Sequence, residues 1–519
     1  MHIYDLVVKN IGGQKMENKK VIIIGGGITG MSAGCYLQMN NYDTEIFELH
    51  NIPGGLCTAW KRNGYTFDGC IHWLCGSRPG NELYTIWDEL GAIKDKNVIN
   101  HEIFISTSLG NGESFTVYSD SERLKEEMLK HAPEDKALIE SFINAVKVCK
   151  NSNMPVLKAP ELYTAIDGLK MAFTSIPLLK IINKWRKISI LQLQQMFKNE
   201  LLNKNFTTFF GMFEEMPVFA LIYTLALLDD NSAGYPIGGS LEFAKSIENR
   251  YLSLGGKIQY NSKVEEIIVE DNIAKGVILK DGSNHYADII ISAADGHYTI
   301  FDMLKGKYKN EEIDNRYKNM KRFSPIIQVS LGIAKEFKAV PDAVTHNIIF
   351  DTPIKIDSKN PVKNISVKIY NFDPTLAPIG KTVLTAIVTA DYEYWVDLKA
   401  NNIDEYNKEK ERIATEVTEK LEKKFGDIKS FLEVIDVATP ATYTRYTNNW
   451  MGSFEGWIPT VDNFGKNMKK TLPNLNNFYM IGQWVQPGGG LPTGGMHGRH
   501  IAQILCKKDK KKFKIEGFK

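Results

Sequence analysis

One hexapeptide constrains this chain more than any other feature: Gly25-Gly26-Gly27-Ile28-Thr29-Gly30. It follows Val21-Ile22-Ile23-Ile24, a β-branched run that reads as a strand buried on both faces, as in a parallel sheet. It precedes Met31 to Met39, where Met31, Cys35 and Leu37 suit a packed helix. In the Gly-x-Gly-x-x-Gly spacing, Gly25 permits a tight turn and Gly27 admits a pyrophosphate close to the backbone. Gly30 and Gly34 let helix and sheet approach. Free N–H groups at the helix start then face the phosphates. A second strand, Thr44-Glu45-Ile46-Phe47-Glu48, ends in an acid about 20 residues after the glycines. Glu48 is placed to accept from ribose hydroxyls and to repel a 2′-phosphate, which disfavours NADP. A bound dinucleotide is expected, with FAD and NAD both open at this point.

The 519 residues allow two or three domains, at roughly 100 to 200 residues each. A chain of that size holds a core without disulfides or metal. The six cysteines, Cys35, Cys57, Cys70, Cys75, Cys149 and Cys506, include no Cys-x-x-Cys pair. They suit neither a disulfide framework nor a zinc site, and a reducing compartment fits them. A net charge of +2 gives no footprint for nucleic acid. Met1 to Lys20 has no apolar core for a signal peptide. Met16 reads as a natural start, so residues 1–16 are expected to be an extension. No apolar run reaches the length of about 18 that a transmembrane helix needs. The expected location is cytoplasmic, with peripheral contact at a membrane surface.

Past Glu48, Ile52-Pro53-Gly54-Gly55-Leu56-Cys57 offers a turn free of side chains that folds back over ribose and pyrophosphate. Tyr65 to Trp73 alternates like a strand. Near the other end, Asn477 to Trp484 reads as a strand reaching Gly482. The turn Pro487-Gly488-Gly489-Gly490-Leu491-Pro492-Thr493-Gly494-Gly495-Met496 then opens a helix from His497 to Leu505. These residues resemble the phytoene desaturase group, with its carotenoid isomerases and retinol saturases, inside the amine-oxidase-like flavoprotein superfamily. The resemblance implies FAD as cofactor, and an α/β fold: a Rossmann-type FAD-binding domain with a second α+β substrate domain of antiparallel sheet plus helices. It implies cofactor contacts at Gly25, Gly27, Ile28, Thr29, Gly30, Glu48, Gly54, Gly55, Leu56, Val264, Ala293, Gly482, Gly490, Leu491, Gly495 and Met496. Thr493 to His497 departs from the bulkier apolar turn of many desaturases, which leaves the direction of reaction open. No second dinucleotide fingerprint is present.

The FAD-binding domain is expected from three separated pieces, 17–100, 234–300 and 470–506. The substrate domain is expected from 101–233 and 301–469, with a basic tail at 507–519. Ser324 to Ile333, Lys363 to Phe372 and Thr382 to Thr389 read as strands of an antiparallel wall. Ile403 to Phe425 reads as a charged, solvated helix, and residues 121 to 232 are helical in character. Leu169 to Lys187 mixes apolar and basic residues with almost no acids, the composition of an interfacial segment on anionic lipid; a basic helix packed on the protein is the competing reading. Phe206 to Phe213 and Val218 to Tyr223 suit either a substrate tunnel or ordinary core.

Flavin redox chemistry asks little of side chains beyond placing a substrate carbon in line and excluding water. A proton donor or acceptor adds to that. His72, His497 and Arg499 come from segments expected at the flavin, while Asp295 and Glu215 are weaker candidates. For each histidine a satisfied structural role competes. No His-Glu-x-x-His and no full phosphate loop are present, and a serine-hydrolase elbow is not expected. The chain is therefore expected to be an FAD-dependent oxidoreductase acting on CH–CH groups of an apolar polyene or isoprenoid, as desaturase or saturase. The alternatives are a reduced-flavin cis–trans isomerase without net redox, an amine-oxidase-like enzyme, and a lipid-binding flavoprotein without turnover. The electron donor or acceptor is unknown.

Overall fold

The computed structural model describes residues 18–109, 113–152, 154–168, 176–357 and 361–517. The expected N-terminal extension and residues 169–175 of the basic segment lie outside them. Five short strands form a parallel sheet: β1 (Lys20–Ile24), β2 (Asp43–Phe47), β3 (Lys257–Gln259), β4 (Ile289–Ser292) and β5 (Phe478–Met480). Their order is β3-β2-β1-β4-β5. β1 is central, and Val21 to Ile24 are each at most 3% exposed. Each such side chain contributes roughly 1.5–3 kcal/mol of burial. That burial on both faces explains the unbroken β-branched run.

Successive connections leave β1 in opposite directions, toward β2 and toward β4. The carboxyl ends of β1 and β4 therefore open a crevice, the place where ligands bind in sheets of this kind. Three helices pack around it: α1 (Ile28–Gln38), α2 (Gly239–Ser253) and α3 (Gly490–Lys508). A Cβ on Gly34 of α1 would press on the Tyr251 ring of α2, and one on Gly498 of α3 would meet Ser32 and Ala33 of α1. Helix α1 thus lies between α3, which approaches its backbone, and α2, which lays the Tyr251 ring against it.

A seven-stranded sheet stands beside this layer, in the order 432–438, 326–333, 382–389, 361–369, 343–355, 103–108, 114–118. It is antiparallel except where Ala343–Lys355 runs parallel to Ile103–Ser108. The three expected wall strands appear as Ile326–Ile333, Pro361–Ile369 and Thr382–Thr389. One face of this sheet packs on the helix Ile403–Phe425, whose Ile413, Val417 and Leu421 are fully buried. That helix is solvated on its outer face only. Helices from 121 to 229 form a further core around stacked rings, with Phe115 and Phe209 at 4.4 Å and Phe206 and Phe210 at 4.3 Å.

One expectation needs correction, and the tail gains a placement. The segment 65–73 is strand only from Tyr65 to Asp68. There the buried Asp68 carboxylate accepts from the N–H of Cys70 and of Ser240, and from the Tyr235 hydroxyl. These bonds turn the chain inward instead of extending it. The last residues do not run free: Lys514 and Asn40 exchange hydrogen bonds, Phe513 lies 6.2 Å from the Tyr36 ring, and Asp509 pairs with Lys19 and Tyr42. The basic tail is fastened along the end of α1.

Candidate functional site

The crevice opens into a cavity of about 1040 Å³. Its floor is made of backbone. Gly25 takes φ +100° and brings the chain from β1 against Ala293 at the end of β4. Gly30 is fixed by packing: a Cβ there would overlap the Gly25 carbonyl. Gly27 is different. Its Cβ would meet nothing closer than the Gly54 carbonyl, at 3.8 Å, so that position faces open cavity. Gly54 crosses it as an isolated parallel bridge, its N–H donating to the Gly26 carbonyl at 2.9 Å.

Helix α1 starts at this point with no side-chain cap. Helix α3, starting at Gly490 from the other end of the chain, has none either. Uncapped first-turn N–H groups require a partner, and anions suit them. The two starts adjoin: a Cβ on Gly494 would stand 3.1 Å from Thr29 Oγ1, one on Gly482 3.3 Å from the same atom, and Ser32 Oγ donates to the Gly495 carbonyl at 3.0 Å. Side-chain-free backbone around an open gap, flanked by two unsatisfied helix starts, fits a long phosphate-bearing cofactor.

Of the expected cofactor contacts, Gly25, Gly27, Ile28, Thr29, Glu48, Gly54, Gly55, Leu56, Val264, Ala293, Gly482, Gly490, Leu491 and Met496 line the cavity. Gly30 and Gly495 do not; they hold helix to turn and helix to helix. Glu48 is 6% exposed and accepts from the N–H of Gly26 at 2.6 Å and of His50 at 2.7 Å, while burial raises its pKa.

The catalytic expectations divide. His72 lines the cavity; its Nδ1 has no partner among the described residues. Burial and the nearby Lys368 ammonium hold its pKa down at about 3, so the ring is neutral. Lys368 is itself buried, bound to the carbonyls of Ile71 and His72 at 3.2 and 3.0 Å, and burial lowers it to about 7. His497 is corrected as an acid or base. Its Nδ1 accepts the Gly482 N–H at 3.0 Å, its Nε2 pairs with Gln486 Oε1 at 3.0 Å, and it is away from the cavity lining. Both nitrogens are used to hold the Gly482 turn. Arg499 is likewise corrected: its guanidinium grips Glu89 at 2.9 and 3.2 Å and the Leu157 carbonyl, outside the cavity. Asp295 does line the cavity; it accepts from the N–H of Tyr298 and of Trp450, each at 2.8 Å, and burial pushes it up to about 7. Glu215 is outside the lining and pairs with Lys321. A Gly-x-Ser-x-Gly spacing does occur, Gly30-Met31-Ser32-Ala33-Gly34, but inside α1. Ser32 is spent on the Gly495 carbonyl and is no nucleophile.

Sequence reasoning missed Glu455. It lines the cavity beside Gly490, and no motif marks it. Beyond the glycine turns the cavity runs between two walls. Met212, Phe213, Met216, Phe219 and Tyr223 form an apolar one; the seven-stranded sheet contributes Phe104 and the polar groups of Thr345, Asn347 and Ser366. The aromatic segment is divided between core and cavity, along the helix Glu200–Phe210 and past its end. Phe206, Phe209 and Phe210 are core, whereas Thr207, Thr208, Met212 and Phe213 face the cavity.

Comparison with known proteins agrees with this geometry. A family model described as "NAD(P)-binding Rossmann-like domain" matches residues 23–90. The chain is 26% identical over 504 residues to a chloroplastic prolycopene isomerase of Arabidopsis thaliana, covering 93% of this chain and 81% of the relative. It is 25% identical over 530 residues to a 4,4'-diapophytoene desaturase of a Methylomonas species, covering 96% and 97%. Among solved structures, an oxidoreductase from Methanosarcina mazei superposes with a TM-score of 0.59 at 17% identity, covering 94% of this chain and all of that one. Cyclohexylamine oxidase from Brevibacterium oxydans gives 0.59 at 13%, covering 95% and 100%. Among the described residues no helix is long and apolar enough to cross a membrane, and no cluster of His, Cys, Asp or Glu forms a metal site. Along nearly its whole length the chain is similar to proteins named as prolycopene isomerase and diapophytoene desaturase, and its fold is that of the solved oxidoreductase and amine oxidase.

Proposed function

We propose that this chain binds FAD across its two glycine turns and acts on a carbon–carbon bond of a polyene or isoprenoid lipid. The observation that carries the reading is the meeting of two uncapped helix starts, from opposite ends of the chain, at one cavity that continues between an apolar wall and a sheet. The α1 start and Gly27 would take the pyrophosphate, and Glu48 a ribose. The turn Gly488–Leu491 and Gly482 would border the ring system. Bound FAD would supply a two-electron hydride acceptor or donor. The protein's residues do the rest. The apolar wall aligns the lipid and excludes water, the neutral His72 offers one hydrogen bond, and His497 keeps the Gly482 amide in place.

Relatives named for prolycopene isomerisation and for diapophytoene desaturation support a carotenoid-like substrate. They also keep two outcomes in play, net desaturation or saturation, and isomerisation with no net redox. Incubation of the loaded protein with a polyene extract, with and without dithionite, separates them by product mass: two hydrogens lost, two gained, or none with changed retention. Hydrogen peroxide release with a soluble amine, and no change in any polyene, would replace this reading with amine oxidation.

Peripheral membrane contact is part of the proposal. Helix Ile176–Trp185 buries Leu178 and Trp185 but leaves Ile176 and Leu179 exposed, 49% and 39%, beside Lys180 and Lys184. Co-flotation with anionic but not neutral vesicles is the expected result. Equal recovery with both removes the membrane term.

A further inference from the structure

Among the described residues three carboxyl groups line the cavity: Glu48, Asp295 and Glu455. Two are occupied by backbone N–H groups, Glu48 by Gly26 and His50, and Asp295 by Tyr298 and Trp450. Glu455 has no hydrogen-bond or ion-pair partner among the described residues. Its carboxyl lies against the second glycine turn, with Oε1 2.9 Å from where a Cβ on Gly490 would stand. The loop that carries it is tied down on both sides. Asn449 Nδ2 donates to the Ser453 carbonyl at 3.1 Å, Ser453 Oγ to the Gly456 carbonyl at 3.0 Å, and the Phe323 N–H to that same carbonyl at 3.0 Å.

A carboxyl held this way has no structural work. Among the described residues it bonds nothing and caps nothing, and it stands half-buried at the cavity with its oxygens turned to the space a ligand would fill. Groups kept in such positions in clefts are functional candidates. Burial alone pushes Glu455 up to about 7, with no charged side chain contributing; the titratable neighbour that feels it is the Cys75 thiol, itself raised to about 12. Near neutrality the group therefore holds and releases a proton with equal ease, which is the condition for acid–base work. His72, at about 3, is unable to carry a proton at that pH.

We infer that Glu455 is the proton carrier of this site, the residue that takes or gives the substrate proton beside the second glycine turn. The inference rests on the flavin–polyene reading above. In the oxidative direction two adjacent C–H bonds break. One hydrogen leaves with its electron pair as hydride to the oxidised flavin. The other leaves as a proton to the Glu455 carboxylate, its electron pair becoming the new π bond. In the reductive direction the protonated Glu455 carboxyl would return the proton, the hydride coming from bound reduced FAD.

The test compares FAD-loaded wild type, Glu455→Gln and Glu455→Asp. Glu455→Gln should retain FAD and be reduced by dithionite as fast as wild type. Its reaction with the polyene should slow by about 10²–10⁴-fold, and the rate should lose the wild-type inflection near pH 7. Glu455→Asp should recover part of the rate. A readout independent of turnover is thermal stability against pH. A carboxyl whose pKa is raised in the folded state contributes stability below its unfolded pKa, and loses it as pH rises through the folded value. Wild type should show that decline up to about pH 7, and in Glu455→Gln it should be shallower by the share of one carboxyl, the part from Asp295 and Glu48 remaining. Loaded Glu455→Gln with the wild-type rate and pH profile would overturn the inference and leave the flavin reading intact. A wild type that retains FAD but converts no polyene would overturn the reading, and this role with it.

Discussion

The two halves of the cavity are built from different materials. The phosphate half is backbone: Gly25, Gly27, Gly54, Gly482 and Gly490 leave space by having no side chain, and two helix starts face it bare. The lipid half is side chain: Met212, Phe213, Phe219 and Tyr223 on one wall, Phe104, Asn347 and Ser366 of the sheet on the other. Substitutions should therefore act oppositely in the two. Adding atoms destroys the first half, whereas removing atoms retunes the second.

The sharpest test of that contrast lies within one motif. Gly27→Val should abolish FAD retention while the protein stays folded, because the new side chain enters open cavity; the colour of the purified protein and its melting temperature read the two effects separately. Gly30→Ala should instead destabilise the fold by about 1–3 kcal/mol or more, because its Cβ has the Gly25 carbonyl to displace. Equal behaviour of the two variants would break the comparison.

The next effect lies at the end of one helix, Glu200–Phe210, and in the turn that follows it. Phe210→Ala empties core and should cost about 3–5 kcal/mol in denaturant unfolding. Phe213→Ala, three residues on, opens the cavity wall and should leave stability nearly unchanged while raising KM for the lipid more than it lowers kcat.

His497 tests a support of the backbone half. His497→Ala orphans the buried Gly482 N–H, a cost of about 1–3 kcal/mol. It should loosen FAD without moving the midpoint of the pH–rate profile. A shifted midpoint would restore His497 as an acid or base. The smallest effect is expected from Ser366→Ala, a few-fold change in KM for a polyene bearing an oxygen function and none for a hydrocarbon.

The same contrast explains how much was legible in the sequence. Glycines in a turn leave a spacing that is readable because geometry forces it, and so the α1 start, Glu48 and the α3 turn were all found. The spacing already read Gly27 as the glycine that makes room and Gly30 as one that makes contact; the family resemblance alone counted Gly30 and Gly495 as cofactor contacts, since what packs behind them is not written in the motif. His497 and Arg499 were nominated because they follow the glycine turn; helical geometry carries them round to Gly482 and Glu89, away from the cavity. Glu455 was invisible because its position comes from a loop tied down by Asn449, Ser453 and Phe323, which no periodicity encodes. The strand Leu432–Ala438 was missed because its partner, Ile326–Ile333, is distant in sequence, and so was the parallel pairing of Ala343–Lys355 with Ile103–Ser108. The turn at Asp68 was missed because its ligands, Tyr235 and Ser240, lie far along the chain.

The central claim is that bare backbone at the two ends of the chain closes around one flavin. The most direct measurement is the visible spectrum of the purified protein, followed by chromatography of the cofactor released on denaturation. The account predicts an oxidised-flavin spectrum, FAD as the released species, and about one per chain at saturation. A folded, colourless protein that takes up no FAD when it is supplied would contradict it.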